Sequence, residues 1–288
     1  MDTRYMVFGI QESGKTTFAA ALWHLVDSEE IPTALIKGRH IGDFTYLQEI
    51  SGSWAEGYEV EHTRLQQVEN IRVNLLHAAS GNEMTLEFDD LSGETLEQAF
   101  AMRYCPEKFV ELVKSAEGML LFLSANRKND DAPTILDVFD AEEDAAQPPA
   151  DPNHWEPEKA QLQVQLVDLL QCLQRPPFES KPMKVALVVS AWDLVPDDGA
   201  DAEKWLKDRY PLLSQYLENS EGVLDLRVYG VSAQGGRLSK KKNGPGPDRE
   251  KLLAILPASK RIGIVGPEVA EHDITRPLLW LAGLESPV

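Results

Sequence analysis

One stretch near the start of the chain reads Gly9-Ile10-Gln11-Glu12-Ser13-Gly14-Lys15-Thr16, and the fold prediction for the rest of the chain starts from it. It comes after a short apolar run, Tyr5 to Phe8, and before apolar residues at helical spacing, Phe18, Leu22 and Leu25. Glycines let successive backbone N–H groups curl around phosphate oxygens, and a following helix points its positive end at them. The pattern therefore predicts a strand, a phosphate-binding loop and a helix that begins at Lys15.

The polar residues of this stretch suit a nucleotide. Lys15 can reach the β and γ phosphates, and the Thr16 hydroxyl can bind Mg²⁺. The candidate nucleotide-binding residues here are Gly9, Gln11, Glu12, Ser13, Gly14, Lys15, Thr16 and Thr17. The alternative is a glycine turn followed by an ordinary surface lysine. The strand before the loop and the helix after it favour nucleotide binding.

Composition restricts the partners. The chain has 288 residues, 43% of them hydrophobic, and a formal charge of −19. This content suffices for a substantial core, while the negative charge repels nucleic acid and anionic lipid. We therefore predict neither a nucleic-acid nor a membrane partner. No window of eighteen apolar residues is present, and the N-terminus runs straight into the first strand, so we expect a cytoplasmic protein.

The remaining chain alternates strand-like and helix-like segments. Predicted strands are Ile71–Leu76, Met84–Phe88, Gly118–Leu123, Val185–Val189 and Leu226–Val231, the first two forming a hairpin. After the first helix, a second helical stretch is predicted to end near Ser115. Further helices are predicted at Lys159–Gln174, Ala202–Leu217, Arg249–Leu256 and Ile274–Leu284. The glycine-punctuated stretch from Ile31 to Asn70 is predicted to be irregular.

This alternation predicts an α/β fold, a three-layer sandwich around a mostly parallel six-stranded sheet with one antiparallel strand. We expect a single domain over residues 1–288. Residues 126–158 contain ten acidic residues and five prolines, which predicts an exposed and partly disordered insertion. Residues 237–288 are expected to form an elaborated C-terminal extension.

Polar residues follow three of the predicted strands: Asp90-Leu91-Ser92-Gly93, Ser190-Ala191-Trp192-Asp193 and Ser232-Ala233-Gln234. Together with the first loop, these stretches resemble the motifs of the Ras-like (TRAFAC) P-loop GTPases in order and position, over nearly the whole chain. The resemblance implies a guanine nucleotide, GTP or GDP, and Mg²⁺ as ligands. It also implies that Asp90 holds Mg²⁺ through a water and that the Gly93 amide senses the γ-phosphate.

The stretches Ser190–Asp193 and Ser232–Gln234 would recognise the base. By the resemblance, Asp193 accepts hydrogen bonds from guanine N1–H and the exocyclic amine, and the backbone of Ser232 and Ala233 contacts the guanine oxygen. Ser190 replaces the usual Asn or Thr, and Ala191 removes the lysine stem that packs over the base. These departures leave a P-loop ATPase with relaxed base specificity as an alternative. Another role for Asp193 is a helix N-cap.

Hydrolysis requires residues from two further loops. We assign the nucleotide-sensing threonine of the family to Thr63 rather than Thr45, with a solvated loop threonine as the alternative. Glu94 stands where many Ras-like proteins have a glutamine that orients the attacking water. A carboxylate near phosphate predicts slow or assisted hydrolysis. Arg64 is a candidate arginine finger, although a surface arginine is the simpler interpretation.

Three features resemble the bacterial double-GTPase type associated with multi-gene conflict and defence systems. They are Ser-x-Trp-Asp at Ser190–Asp193, Asp-x-x-Gly-Glu at Asp90–Glu94, and the run Pro277–Leu281. This resemblance implies a regulatory switch that works with partner proteins encoded beside it.

The sequence thus predicts a Mg²⁺-dependent GTP-binding switch with slow GTP hydrolysis. The catalytic candidates are Lys15, Thr63, Gly93 and Glu94. The metal candidates are Thr16, Thr63 and Asp90. Protein partners are expected at the switch loops or the acidic insertion. Besides the ATPase, the alternative is a non-hydrolysing nucleotide-binding adaptor, which Glu94 favours.

Overall fold

Five parallel strands form the centre of one mixed sheet. The computed structural model describes residues 3–39, 44–60, 70–89, 100–127, 160–178, 181–196, 201–269 and 271–285. The strands in these ranges are β1 (Thr3–Phe8), β2 (Ile36–Lys37), β3 (Asn70–His77), β4 (Asn82–Asp89), β5 (Gly118–Ser124), β6 (Met183–Ser190), β7 (Leu224–Ser232) and β8 (Gly263–Val265). Their order in the sheet is β2-β3-β4-β1-β5-β6-β7-β8. Strands β4, β1, β5, β6 and β7 are parallel to one another.

Helices cover both faces of this sheet. They are α1 (Lys15–Ser28), α2 (Thr45–Ala55), α3 (Glu107–Ser115), α4 (Leu162–Leu173), α5 (Ala202–Arg209), α6 (Pro211–Glu218), α7 (Arg249–Leu253) and α8 (Arg276–Leu281). Short 3₁₀ turns occur at Trp192–Leu194, Lys241–Asn243 and Ala258–Arg261. None of the helices in the described part of the chain combines the length and hydropathy needed to cross a bilayer.

Alternate residues of β1 belong to different cores. Tyr5 and Val7 pack on one side with α1, α2 and α8. Met6 and Phe8 pack on the other side with α3, α4, α5 and α6. Since side chains alternate along a strand and helices cover both faces, the central strands must be apolar throughout. The predicted three-layer α/β sandwich is confirmed.

The sheet is wider than the prediction of six strands with one antiparallel. It gains β2, which pairs with β3, and β8, which pairs with β7. Both β3 and β8 run antiparallel to the central strands. The added strands have only two and three residues. Segments this short leave no alternating pattern in the sequence, so only their pairing in the fold identifies them.

The stretch from Ile31 to Asn70 is not irregular throughout, because it contains α2. Leu47, Ile50 and Trp54 recur at helical spacing and are buried on one face of this helix. Gly52, predicted to lie in a loop, is a helix residue, and a Cβ added to it would meet no atom within 4 Å. An exposed glycine is tolerated in a helix at a cost of about 1 kcal/mol.

The predicted helix Ala202–Leu217 is two helices, α5 and α6. Tyr210 leaves the helical conformation, with φ −132° and ψ 60°, and Pro211 begins the second helix. The residue before a proline is disfavoured in the α region, which explains the break. Proline is well tolerated in the first turn of a helix. Both short helices bury apolar residues in the same core.

Two glycine substitutions test the packing in opposite directions. A Cβ at Gly230 would lie 2.3 Å from Cδ2 of the buried Trp192 ring. We expect Gly230→Ala to lower the free energy of unfolding by about 1–3 kcal/mol through overpacking. Gly52→Ala, at the open position in α2, should raise it by about 0.5–1 kcal/mol. Urea denaturation measures both, and equal stabilities of the two variants would contradict the packing around Trp192.

Candidate functional site

The C-terminal ends of β1, β6 and β7 lie at one edge of the sheet and carry the candidate residues. Gly9 directly follows β1, Ser190 is the last residue of β6, and Ser232 is the last residue of β7. In the ladder, Ser190 is paired with Ser124 of β5 on one side and Val231 on the other. This is the edge at which open α/β sheets bind ligands.

The phosphate loop, Gly9–Thr16, encloses the Lys15 ammonium group. Lys15 Nζ donates to the carbonyl oxygens of Gly9 at 2.6 Å and Ile10 at 2.7 Å, and to Ser13 Oγ at 3.3 Å. Glu12 has φ 60° and Gly14 has φ 92°, so the backbone turns sharply before α1 begins. The loop thus places a cation at the N-terminus of a helix, where the helix dipole also favours an anion.

The phosphate loop is held against the end of β6. Ser190 Oγ donates to the Ser13 carbonyl oxygen at 2.8 Å, and both serines are buried. A Cβ on Gly14 would lie 2.6 Å from Ser190 Oγ. Glycine is therefore required at position 14 both by its positive φ and by this close approach. The two motifs that the sequence separates by 177 residues form one structure.

The stretch Ser190–Asp193, at the end of β6, pairs with the end of β7. Asp193 is exposed, and its Oδ1 accepts a hydrogen bond of 2.7 Å from Ser232 Oγ. The Gly235 N–H donates to the same hydroxyl at 3.1 Å. The alternative that Asp193 is a helix N-cap is wrong, because Ala191 occupies the N-cap position of the 3₁₀ turn that contains Asp193. Since Asp193 is exposed, a ligand at the sheet edge can reach its carboxylate.

The structure gathers most predicted nucleotide-binding residues at this edge. Ser13 and Thr16 are buried, Gly14, Lys15 and Thr17 are partly buried, and Gln11 and Glu12 are exposed. The switch and metal assignments to Thr63, Asp90, Gly93 and Glu94 lie outside the described residues, as do residues 128–158 of the predicted insertion. Thr45, the alternative to Thr63, is the first residue of α2.

The donors for a metal ion are incomplete in the described ranges. Within them, no group of three or more His, Cys, Asp or Glu side chains is placed to hold a metal ion. Thr16 lies in the first turn of α1, next to Lys15. A hydroxyl beside a phosphate group suits Mg²⁺, which prefers oxygen ligands and keeps several waters. The position of Thr16 therefore fits such an ion when a phosphate supplies further oxygens.

An apolar cavity of about 250 Å³ lies between α3 and α4. Ile10 of the phosphate loop lines it together with Phe109, Cys105 and Cys172. Both cysteines are free. Burial raises the pKa of Cys105 to about 11, with a further contribution from Cys172, so this thiol is neutral near pH 7. The mainly apolar lining does not suit a triphosphate.

The comparison with protein families places the chain. A family model described as Double-GTPase 1 matches residues 6–281. The chain belongs to the Double-GTPase 1 family. The resemblance to P-loop GTPases of the double-GTPase type is thereby confirmed. Among curated proteins, none matches this chain.

Several solved structures resemble this Double-GTPase 1 chain. The Roco2 RocCORdC protein of Methanosarcina barkeri bound to GDP is 15% identical, with 82% of this chain and 45% of that chain covered and a TM-score of 0.33. The GTPase-like domain of S. cerevisiae Ski7 bound to GTP is 11% identical, with 82% and 44% covered and a TM-score of 0.39. The signal recognition particle receptor SRb-GTP/SRX complex from Chaetomium thermophilum is 14% identical, with 82% and 93% covered and a TM-score of 0.39. The chain spans less than half the length of the first two.

Sequence reasoning missed two residues beside the site, Trp54 and Arg261. Trp54 Nε1 donates to the Ala233 carbonyl oxygen at 2.8 Å. Arg261 is buried, and its Nη1 donates to the Ala55 carbonyl oxygen at 3.0 Å. Burial lowers the pKa of the Arg261 guanidinium, an effect that the charge of Glu30 opposes. The one signal in the sequence was the helical spacing of Leu47, Ile50 and Trp54, which indicates that Trp54 lies on a buried helix face. The glycines of this segment obscured it.

The bond between Ser190 and Ser13 gives a stability prediction for this Double-GTPase 1 chain. Ser190→Ala removes the only side-chain donor that we find for the buried Ser13 carbonyl among the described residues. We expect a loss of about 1–3 kcal/mol in the free energy of unfolding, the cost of an unpaired buried polar group. Urea denaturation of the nucleotide-free protein measures it. An unchanged midpoint would mean that water replaces the hydroxyl without loss.

Proposed function

We propose that this protein is a Mg²⁺-dependent GTP-binding switch with slow GTP hydrolysis. The observation that carries the proposal is the placement of Lys15, Ser190 and Asp193 along one sheet edge, joined through the Ser190–Ser13 hydrogen bond of 2.8 Å. One end of this edge provides a cation inside a main-chain loop, and the other provides a carboxylate. A triphosphate and a purine carried by one ligand match the two ends.

The phosphate loop binds and neutralises the phosphate groups in this proposal. The Lys15 ammonium, now bonded to loop carbonyls, turns to the β and γ phosphates, and N–H groups at the start of α1 contact the same oxygens. Thr16 would hold Mg²⁺, together with Asp90 through a water as the resemblance implies. The ion would neutralise charge that develops on the phosphates during transfer.

The base end supports recognition of guanine. Asp193 can accept hydrogen bonds from N1–H and the exocyclic amine, two donors that adenine does not present together. Ser232 donates to Oδ1 at 2.7 Å and so fixes the carboxylate in one orientation. A pre-oriented acceptor discriminates better than a mobile one because less ordering is required on binding.

Hydrolysis and switching are proposed from the resemblance. Thr63 and Gly93 would contact the γ-phosphate, and the loops that carry them would present a surface to a partner protein. The acidic insertion at 126–158 is the second proposed contact region. Glu94 can orient water, but its charge next to phosphate slows the reaction, so a slow intrinsic rate is expected. A single domain over 1–288 and a cytoplasmic location complete the proposal.

Lys15→Ala tests the phosphate end. It removes the only basic side chain of the phosphate loop, so we expect GTP and GDP binding to be lost. Titration with a fluorescent guanine nucleotide measures affinity. Lys114→Ala, at an exposed lysine in the last turn of α3, is the control and should bind as the unmodified protein does. Micromolar GTP affinity in Lys15→Ala would refute the site.

Asp193→Asn tests the base end. An asparagine amide donates where the carboxylate accepted, so preference should move from GTP towards xanthosine triphosphate, which carries an oxygen in place of the amine. Asp201→Asn is the matched control, because Asp201 caps α5 and asparagine is an equally good N-cap. Competition between GTP and xanthosine triphosphate gives the ratio of their affinities. An unchanged ratio in Asp193→Asn would mean that the base is recognised elsewhere.

A P-loop ATPase is the second candidate, favoured by Ala191, which offers no stem to cover the base. Competition of ATP against labelled GTP distinguishes it, since equal competition would indicate relaxed specificity. A non-hydrolysing adaptor is the third. Phosphate release measured over a day, with identification of the nucleotide that copurifies, separates the adaptor from a slow GTPase.

A further inference from the structure

The turn at the end of β7, residues 232–236, is held by hydrogen bonds of Ser232, one of them to Asp193 in the turn after β6. Ser232 Oγ donates to Asp193 Oδ1 at 2.7 Å and accepts from the Gly235 N–H at 3.1 Å. We call residues 232–236 the base loop. These bonds fix where the loop begins and where it closes. They leave the orientation of the peptide between Ala233 and Gln234 to another contact.

That contact comes from α2. Trp54 Nε1 donates to the Ala233 carbonyl oxygen at 2.8 Å in a buried hydrogen bond between residues 179 apart in the chain. A peptide group is planar and trans, so fixing its C=O direction fixes the opposite direction of its N–H. The indole of Trp54 thus determines where the Gln234 N–H points. Ala233 itself is buried, so water competes poorly for its carbonyl.

The Trp54 ring is itself held in place on two sides. It is 2% exposed. The His24 ring of α1 lies against it with centroids 4.7 Å apart. The Arg261 guanidinium lies 5.7 Å from the ring centroid and donates to the neighbouring Ala55 carbonyl at 3.0 Å. A donor with so little freedom orients its acceptor strongly.

We propose that Trp54 is a positioning residue for guanine recognition, which aims the Gln234 N–H at the guanine oxygen by holding the Ala233 carbonyl. The inference rests on the proposed GTP site. Asp193 recognises the N1–H and the amine, and Trp54 acts only on the recognition of the oxygen. The two donors and the oxygen of the base are therefore recognised through different elements, the 3₁₀ turn after β6 and α2.

The test separates recognition of the oxygen from recognition of the amine by ligand chemistry. Trp54→Phe keeps an aromatic ring and removes the N–H donor. Affinities are measured for GDP, for 6-thio-GDP, whose sulfur is a weak acceptor in place of the oxygen, and for IDP, which lacks the amine. We expect Trp54→Phe to weaken GDP binding about 5-fold, as for one lost hydrogen bond, and 6-thio-GDP less. The ratio of the affinities for GDP and 6-thio-GDP should fall towards one, while the ratio of the affinities for GDP and IDP should be unchanged.

Trp23→Phe is the matched control. Trp23 is equally buried in α1, but its ring stacks on Phe44 with centroids 5.0 Å apart. The same substitution there should leave both ratios unchanged. Circular dichroism melting establishes that each variant is folded. If Trp54→Phe does not fold, Arg261→Lys keeps the indole but removes the planar group beside it, and the GDP to 6-thio-GDP ratio should fall part of the way.

The outcomes distinguish the inference from the proposed function. Equal losses for GDP and 6-thio-GDP in folded Trp54→Phe would mean a purely structural role and would overturn the inference alone. An unchanged ratio in Arg261→Lys, where that variant is the one used, would do the same. Wild-type protein that binds GDP and IDP equally would overturn the guanine site, and the inference with it.

Discussion

The hydrogen bond between Ser190 and the Ser13 carbonyl is the contact on which the functional edge depends. It crosses from the end of β6 to the loop after β1, over the intervening strand β5. Because Gly14 approaches the same serine, the loop cannot move away from β6 without losing both contacts. The phosphate end and the base end of the proposed site therefore keep a fixed separation. A ligand that spans both ends meets a preorganised surface, which reduces the ordering cost of binding.

The parts of this edge that the sequence predicted are those with strong local patterns. The phosphate loop combines glycines with a preceding strand and a following amphipathic helix, and α1 begins at Lys15 as expected. The central strands Gly118–Ser124 and Met183–Ser190 are continuous apolar runs, since helices cover both of their faces. Asp193 comes shortly after one of these strands and Ser232 ends β7, and parallel strand ends meet at one edge.

The parts that the sequence did not predict depend on contacts between distant segments. Helix α2 contains Gly52, which weakens its helical signal, and its apolar face is explained only by its packing against α1 and the base loop. Strand β2 exists because β3 offers it a partner. The role of Trp54 requires an acceptor 179 residues away, and nothing local to either residue indicates the pairing. Sequence patterns report burial and turns, whereas such pairings are a property of the assembled fold.

The fit between Gly14 and Ser190 also bears on how relatives of this chain can be compared. An asparagine at position 190, as in the usual family motif, would carry its amide one bond further than the serine hydroxyl. A Cβ at position 14 would lie 2.6 Å from the serine hydroxyl, so the main chain at Gly14 and the side chain at position 190 are in close contact. Side chain and main-chain spacing at this junction thus form one matched unit. An alignment that scores positions 14 and 190 separately would therefore miss that the two residues share one contact.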